Sequence, residues 1–190
     1  MTGADSCLVP PGENIKALPV SEAQDVFDRS RALFECRIMW DDVSCWWPRA
    51  PLDARALPDD ILQTEADQNT IVATIRNCGV VSVFVCDLND ANRGVYCGPL
   101  DIETLHWAKL ALQSEFIAIF SFNPSLVLIG FQWLSLSAIG GHKALIEDVV
   151  RALGGEMLMS KKLREWAQSY GEPTVRAAHH MAKWSNWDNL

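Results

Sequence analysis

Cysteine is the residue type in this sequence with the most varied chemistry, since its thiolate can bind a metal or act as a nucleophile. The chain of 190 residues has six cysteines. Structural zinc sites place ligands in pairs two to four residues apart, whereas the closest pair here, Cys78 and Cys86, is separated by seven residues. The adjacent His179 and His180 would point about 100° apart on a helix, which does not suit one ion. We therefore expect no metal site and no cofactor.

Cys97 is the candidate for a catalytic nucleophile. The segment Cys97-Gly98-Pro99 leads into a predicted helix, and the N–H groups at a helix N-terminus can lower the pKa of a thiol. His106 or His142 could act as the base. Cysteine is also one of the most buried residue types, so a structural role for Cys97 is the alternative.

Tryptophan is unusually frequent, with eight residues, and three of them fall in a segment without helical or strand periodicity. This segment, 39–60, is rich in Trp, Pro and Asp, and we predict a long structured loop there. Trp and Arg are enriched at binding hot spots, so this loop is the candidate binding surface. The candidate partner-binding residues are Trp40, Asp41, Asp42, Trp46, Trp47, Arg49, Asp59 and Asp60. The alternative is a tryptophan lid packed on the sheet; Trp107, Trp133 and Trp166 fall on predicted elements and are expected in the core.

The charge distribution restricts the class of partner. The formal net charge is −8, which argues against a nucleic-acid-binding role because phosphate binding needs clustered Lys and Arg. Residues 1–60 hold eleven carboxylates and six basic residues. An acidic surface favours a partner protein with a basic surface. The N-terminus has neither a basic nor an apolar signal region, so we expect a cytoplasmic, soluble protein with free thiols.

The elements before residue 115 follow from periodicity and turn chemistry. Residues 1–20 contain several prolines and are predicted to be an irregular lead-in. Apolar spacing predicts helices at about 21–38 and 64–78, and strands at 80–88 and 94–97. Asp101 is predicted to cap a helix that ends near Ser114.

The stretch from Phe116 to Gly141 contains no charged residue and is long enough to span a membrane as one helix. Asn123-Pro124-Ser125 is turn chemistry, however, and divides the stretch into strand-length pieces. We therefore predict a central hairpin over about 116–139 that is buried on both faces and does not enter a membrane. Gly140 and Gly141 would allow the turn from strand to helix.

Three C-terminal helices are predicted after this hairpin. The first covers His142 to Leu153, the second has its apolar stripe from Leu163 to Tyr170, and Thr174 opens the last. The expected fold is a single α+β domain whose antiparallel sheet of about four strands is covered by helices.

The sequence contains no catalytic motif, which favours a non-catalytic role over an enzyme. The leading hypothesis is a protein-binding domain, an immunity-type protein or inhibitor that binds a cognate partner through an acidic, Trp-rich surface. One alternative is an adaptor subunit of a biosynthetic enzyme complex that captures a peptide at a sheet edge. The other alternative is a thiol enzyme that uses Cys97.

Overall fold

The fold was analysed in a computed structural model, which describes residues 14–41, 43–57 and 65–187. Nine strands and six helices lie in these ranges. The strands are β1 (Lys16–Ala17), β2 (Phe34–Trp40), β3 (Val43–Pro48), β4 (Asp53–Leu57), β5 (Ser82–Asp87), β6 (Val95–Pro99), β7 (Phe116–Phe122), β8 (Ser125–Phe131) and β9 (Leu136–Gly141). The helices are α1 (Val20–Arg31), α2 (Glu65–Asn77), α3 (Ile102–Leu112), α4 (Lys143–Ala152), α5 (Glu156–Tyr170) and α6 (Glu172–Trp184).

The α+β class is confirmed, but the predicted sheet of about four strands is wrong. Seven antiparallel strands form one sheet in the order β1-β6-β5-β7-β8-β9-β4, and β2 and β3 form a separate hairpin. The three predicted C-terminal helices correspond in part to α4, α5 and α6. Helices α5 and α6 begin at Glu156 and Glu172, before their first predicted apolar positions.

The predicted central hairpin is confirmed for β7 and β8 in its pairing, turn and burial, but it ends at Phe131, and the end of the predicted range, 136–139, belongs to a third strand, β9. Phe116 pairs with Phe131, Phe122 pairs with Ser125, and the turn contains Asn123 and Pro124. Every residue from Phe116 to Ser121 and from Leu126 to Phe131 is buried. A strand that is apolar on both faces needs cover on both faces, which the other elements provide. Among the described residues, no helix is long and apolar enough to cross a membrane.

The two faces of the seven-stranded sheet carry different cover. We call the face of Phe120 and Gly140 the hairpin face, because α1, α6 and the β2–β3 hairpin cover it. We call the other face the helical face, since α2, α3 and α4 cover it. There Trp107 of α3 packs edge-on against Tyr96, with ring centroids 4.7 Å apart. The predicted cap of α3 is confirmed, because Asp101 Oδ1 accepts a hydrogen bond from the Thr104 N–H at 2.8 Å.

Two sequence predictions fail in the segment that forms the β2–β3 hairpin. The helix predicted over 21–38 ends at Arg31, and Phe34 begins β2. The loop predicted over 39–60 contains β3 and β4. A bulge between Ile38 and Trp40 interrupts the alternation in β2, and β4 has only five residues, too few to show a clear period. Residues 58–60 of that loop, and most of the lead-in predicted over 1–20, lie outside the described residues.

Gly140 permits the contact that places the hairpin on the sheet. It lies inside β9, as does Gly141, so the predicted strand-to-helix turn at these glycines is wrong. A Cβ atom on Gly140 would lie 2.5 Å from Pro48 Cβ and 2.8 Å from Val127 Cγ2. The ring of Pro48 therefore rests directly on the β9 backbone.

We expect Gly140→Ala to lower the free energy of unfolding by about 1–3 kcal/mol, because Pro48 cannot move without displacing the hairpin. Gly141→Ala is the matched control. Its Cβ would lie 3.0 Å from the flexible end of Leu145 and 3.3 Å from the Ser125 carbonyl oxygen, a milder approach than at Gly140, so we expect a smaller loss of stability. Urea unfolding of both variants measures the difference. Equal stability of the two variants would contradict the close contact of hairpin and sheet.

Candidate functional site

The β2–β3 hairpin holds three tryptophans in different environments. Trp47 is 1% exposed and packs against Trp184 of α6, with ring centroids 5.2 Å apart. Trp40 and Trp46 are half-buried. Trp46 is fixed by a 2.9 Å hydrogen bond from its Nε1 to Asn89 Oδ1, at the end of β5. The hairpin is thus anchored by one buried ring and presents two others near the surface.

A row of neighbouring rings continues from the hairpin across two other segments. Trp133, in the turn between β8 and β9, lies 6.4 Å from Trp40 between centroids. Trp40 lies 6.2 Å from His180, and His180 lies 6.0 Å from Trp184. Because the rings come from β2, a turn and α6, tertiary packing fixes their relative positions.

Arginine side chains lie over two rings of this row and over Trp46, which points to the other face of the hairpin. Arg31, at the end of α1, lies 5.1 Å above the ring of Trp46, and Arg176 of α6 lies 4.9 Å above Trp40. Arg37 lies 5.4 Å above Trp184. We call this group the aromatic–arginine surface. It consists of Trp40, Trp46, Trp133, His180 and Trp184 together with Arg31, Arg37 and Arg176.

The three arginines differ in how their charge is compensated. Arg37 Nε donates to Glu35 Oε1 at 2.7 Å. Neither Arg31 nor Arg176 has an ion pair with a carboxylate of the described residues, and both are exposed. A guanidinium over an aromatic ring can keep its N–H groups available as donors. Arg31 and Arg176 each therefore place a positive charge without a carboxylate partner among the described residues beside an aromatic ring.

A cleft of about 470 Å³ lies on this surface, and we call it the hairpin cleft. Trp46 and Trp133 line it, together with the buried side chains of Cys45 and Phe116. Glu115 also lines it. Trp133 is 42% exposed, a large fraction for a residue of its size. The cleft can receive an apolar group between aromatic walls.

Two residues near this surface, His180 and Cys45, have pKa values that their surroundings shift. Burial, followed by electrostatic repulsion from the neighbouring His179, Lys183 and Arg176, lowers the pKa of His180 below its usual 6.5. Its imidazole is therefore neutral at pH 7 and packs as an aromatic ring. Burial also raises the pKa of the Cys45 thiol to about 12, so Cys45 stays protonated at neutral pH.

The structure brings together only part of the predicted binding segment. Trp40 and Trp46 belong to the aromatic–arginine surface, while Trp47 is buried beneath it. Asp41 is exposed at the tip of the hairpin, and Arg49 is exposed just after β3. The remaining candidates, Asp42, Asp59 and Asp60, lie outside the described residues.

The alternative catalytic residues are not brought together. Cys97 shares a face with its partner Phe84, which contacts Phe120 on the hairpin face. His106 lies on α3, over the opposite face, and its Nε2 is 3.2 Å from Gln68 Oε1. His142 precedes α4, beyond β9, which is four strands away from β6. A thiol mechanism at Cys97 would need a base other than these two histidines.

Sequence reasoning missed six residues of the site: Arg31, Arg37, Arg176, Trp133, His180 and Trp184. Trp133 was expected in the core because it follows an apolar strand, and that expectation is wrong. Trp107 is buried as predicted, whereas Trp166 is half-buried and donates from Nε1 to the Ser135 carbonyl at 2.6 Å. The excess of tryptophan was the available signal, but the positions of the tryptophans in the sequence do not show which of them contact each other in the fold.

The described residues contain no cluster of His, Cys, Asp or Glu side chains that could hold a metal ion. No protein-family model matches the sequence, and no curated protein and no solved structure shows significant similarity to the chain.

The buried thiols lead to a pH-dependence prediction. Burial raises the pKa of both Cys45 and Cys86 to about 12, whereas an unfolded thiol titrates near 9. Between pH 9 and about 12 each thiol is deprotonated in the unfolded state but still protonated in the folded state. The free energy of unfolding therefore keeps its full value below pH 9 and falls as the pH rises through this range. Each thiol contributes a slope of about 1.4 kcal/mol per pH unit.

Urea unfolding under reducing conditions at several values between pH 8 and roughly 11 measures this slope. We expect Cys86→Ala to reduce the slope. Met157 provides the control, because it is 87% exposed and carries no titratable group, so we expect Met157→Ala to leave the slope unchanged. A slope that is the same with and without Cys86 would contradict the shifted pKa.

Proposed function

We propose that this chain is a non-catalytic protein-binding domain of the immunity or inhibitor type, which holds its partner on the aromatic–arginine surface. The observation that supports this most directly is the 42% exposure of Trp133 beside a cleft with aromatic walls. Exposed apolar side chains beside a formed cleft are typical of interaction sites.

The composition of the surface also favours protein binding. Trp and Arg are the residue types that dominate the energy of protein interfaces. Here the rings of Trp40 and Trp133 contact each other, and Arg176 stacks on the first. Side chains that are ordered before binding lose little conformational entropy in the complex, so such a surface supports tight binding.

The proposal predicts that truncating the exposed rings removes a specific partner. We expect Trp133→Ala and Trp40→Ala each to weaken partner binding by about tenfold or more, since hot-spot truncation costs about 2 kcal/mol. The measurement is affinity purification of the tagged full chain from its native cell, with quantitative mass spectrometry of what co-purifies.

Met157→Ala is the matched control. Met157 lies on α5 and is 87% exposed, so it offers apolar area away from the proposed surface. Circular dichroism and thermal unfolding establish that all variants are folded. The proposal fails if no protein co-purifies stoichiometrically, or if the same partner is retained equally by wild type and both Trp variants.

A second candidate is the adaptor that captures a peptide at a sheet edge. One observation favours it: no backbone hydrogen bond between described residues joins β2 to an element other than β3. The edge is also partly apolar, because Ile38 is 72% exposed. Strand addition at a free edge is a known mode of peptide capture.

Ile38→Lys separates the two candidates, because a lysine on an edge strand opposes pairing with another strand. For an adaptor we expect this variant to lose the partner while Trp133→Ala keeps it, and we expect the partner to be an enzyme that needs the chain for activity. Co-purification followed by an assay of the captured enzyme measures both. The reverse pattern, with loss only in Trp133→Ala, contradicts the adaptor.

A further inference from the structure

We propose that two copies of this chain pair through the outer edge of β2, in an antiparallel register centred on Cys36. The two hairpins then form one four-stranded sheet in the order β3-β2-β2-β3, with a twofold axis at its centre. This inference goes beyond the proposed function and does not rest on it. It assigns the β2 edge to a second copy of the chain instead of to the peptide of an adaptor.

Hydrogen bonding along the β2–β3 hairpin shows which backbone groups of β2 point outward. Just before β2, the Leu33 carbonyl accepts a hydrogen bond from the Arg49 N–H at 2.8 Å. The next pair contains Pro48, which has no N–H to donate. Hydrogen-bonded pairs alternate with non-hydrogen-bonded pairs along an antiparallel ladder. The residues of β2 whose N–H and C=O groups point outward are therefore Phe34, Cys36 and Ile38.

These outward groups form an unprotected strand edge. No backbone hydrogen bond between described residues joins β2 to an element other than β3. Cys36 is exposed, and Ile38 is 72% exposed. The pairing with β3 is regular up to Ile38, and the bulge begins only after that residue. An edge strand with exposed apolar side chains and unused backbone groups is a template for pairing with another strand.

The charges of β2 select one register for a second copy of the same strand. When Cys36 lies opposite Cys36 of the second copy, Glu35 of each copy lies opposite Arg37 of the other. These are non-hydrogen-bonded pairs, in which the side chains come closest. A register centred on Glu35 or on Arg37 places identical charges opposite each other, which opposes pairing. Moving the centre by one residue in either direction is therefore unfavourable.

The side chains of Glu35 and Arg37 are already held on one face of β2. Arg37 Nε donates to Glu35 Oε1 at 2.7 Å, and each side chain remains 32% exposed. The guanidinium lies 5.9 Å above the ring of Trp47 and 5.4 Å above that of Trp184. A guanidinium has five N–H groups and a carboxylate has two oxygens, so each side chain has capacity for a further partner. Two copies thus form a cluster of four alternating charges.

A second copy fits this edge better than a foreign peptide. β2 carries its anion and its cation two residues apart on one face, so the same strand reversed presents the complementary order. Cys36 between them is small and uncharged, so it does not oppose Cys36 of the second copy. The pairing also places Phe34 of the second copy beside Ile38, which reduces the exposure of that apolar side chain.

The first measurement is size-exclusion chromatography with light scattering over a series of concentrations. We expect the full chain to approach twice its mass of 21.2 kDa as the concentration rises, because a short strand contact gives a weak interface. Ile38→Lys is expected to weaken dimerisation by at least about tenfold, since lysine on an edge strand opposes pairing. The matched control is Leu110→Lys, because Leu110 is 58% exposed on α3, over the opposite face of the sheet. We expect it to dimerise as wild type does.

Charge reversal tests the register. Glu35→Arg sets two arginines opposite each other at both ends of the paired stretch, so we expect it to weaken the dimer by at least about tenfold. Glu35→Arg/Arg37→Glu restores opposite charges and is expected to restore dimerisation. The control is Glu165→Arg, which reverses the same charge in the exposed pair of Lys161 and Glu165 on α5. Circular dichroism and thermal unfolding establish that the variants are folded.

Oxidation by diamide tests the same register independently. In a hydrogen-bonded pair the two Cα atoms lie about 5.5 Å apart, which a disulfide can span. Diamide accepts two electrons and two protons from the two Cys36 thiols, so we expect a disulfide-linked dimer on a non-reducing denaturing gel. Cys36→Ser is expected to remove this band. In Cys36→Ser/Ile38→Cys the new thiols are four residues out of register, or about 13 Å apart, and we expect no band.

Several results would overturn the inference. One is a monomer at every concentration, and another is equal dimerisation by the Ile38→Lys and Leu110→Lys variants. Cross-linking that survives Cys36→Ser, or that is as efficient through position 38, would exclude the register. A monomer that captures a foreign protein through Ile38 would assign the edge to the peptide of an adaptor. None of these results affects the leading proposed function, which depends on Trp133 and Trp40 and not on pairing of β2.

Discussion

The contact of Pro48 with Gly140 is the constraint on which the rest of the structure depends. β8 and β9 are apolar on both faces, so the sheet needs cover on the side that α2, α3 and α4 leave open. The β2–β3 hairpin provides part of that cover, and it can approach closely only because residue 140 has no side chain. The same approach buries Trp47 and brings Trp40 beside Trp133.

The aromatic–arginine surface therefore forms because the β2–β3 hairpin covers the hairpin face of the sheet. Trp47 packs against Trp184 below the surface, and Arg37, neutralised by Glu35, stacks on both rings. This layer holds the hairpin against α6. The hairpin already fixes the backbone of Trp40 and Trp46. A cation–π contact of about 0.5–1 kcal/mol at an exposed site is then enough to favour one orientation of each ring.

The parts of the fold that could be predicted from sequence are those with local signals. The β7–β8 hairpin has a turn sequence between two apolar runs, and α3 has an aspartate at its cap. The strands from Phe34 to Leu57 have no such signals. β4 is defined by pairing with β9, whose paired residues lie 80 to 88 positions later, and its own sequence does not encode that register.

The same difference between local signals and long-range contacts decides which residues of the candidate site could be predicted. Three tryptophans in a segment without helical or strand periodicity indicated a binding surface in what is now the hairpin, and Trp40 and Trp46 do lie at the surface. Arg31 and Arg176 could not be found, because each is an ordinary exposed residue of an amphipathic helix until the fold places it above a ring.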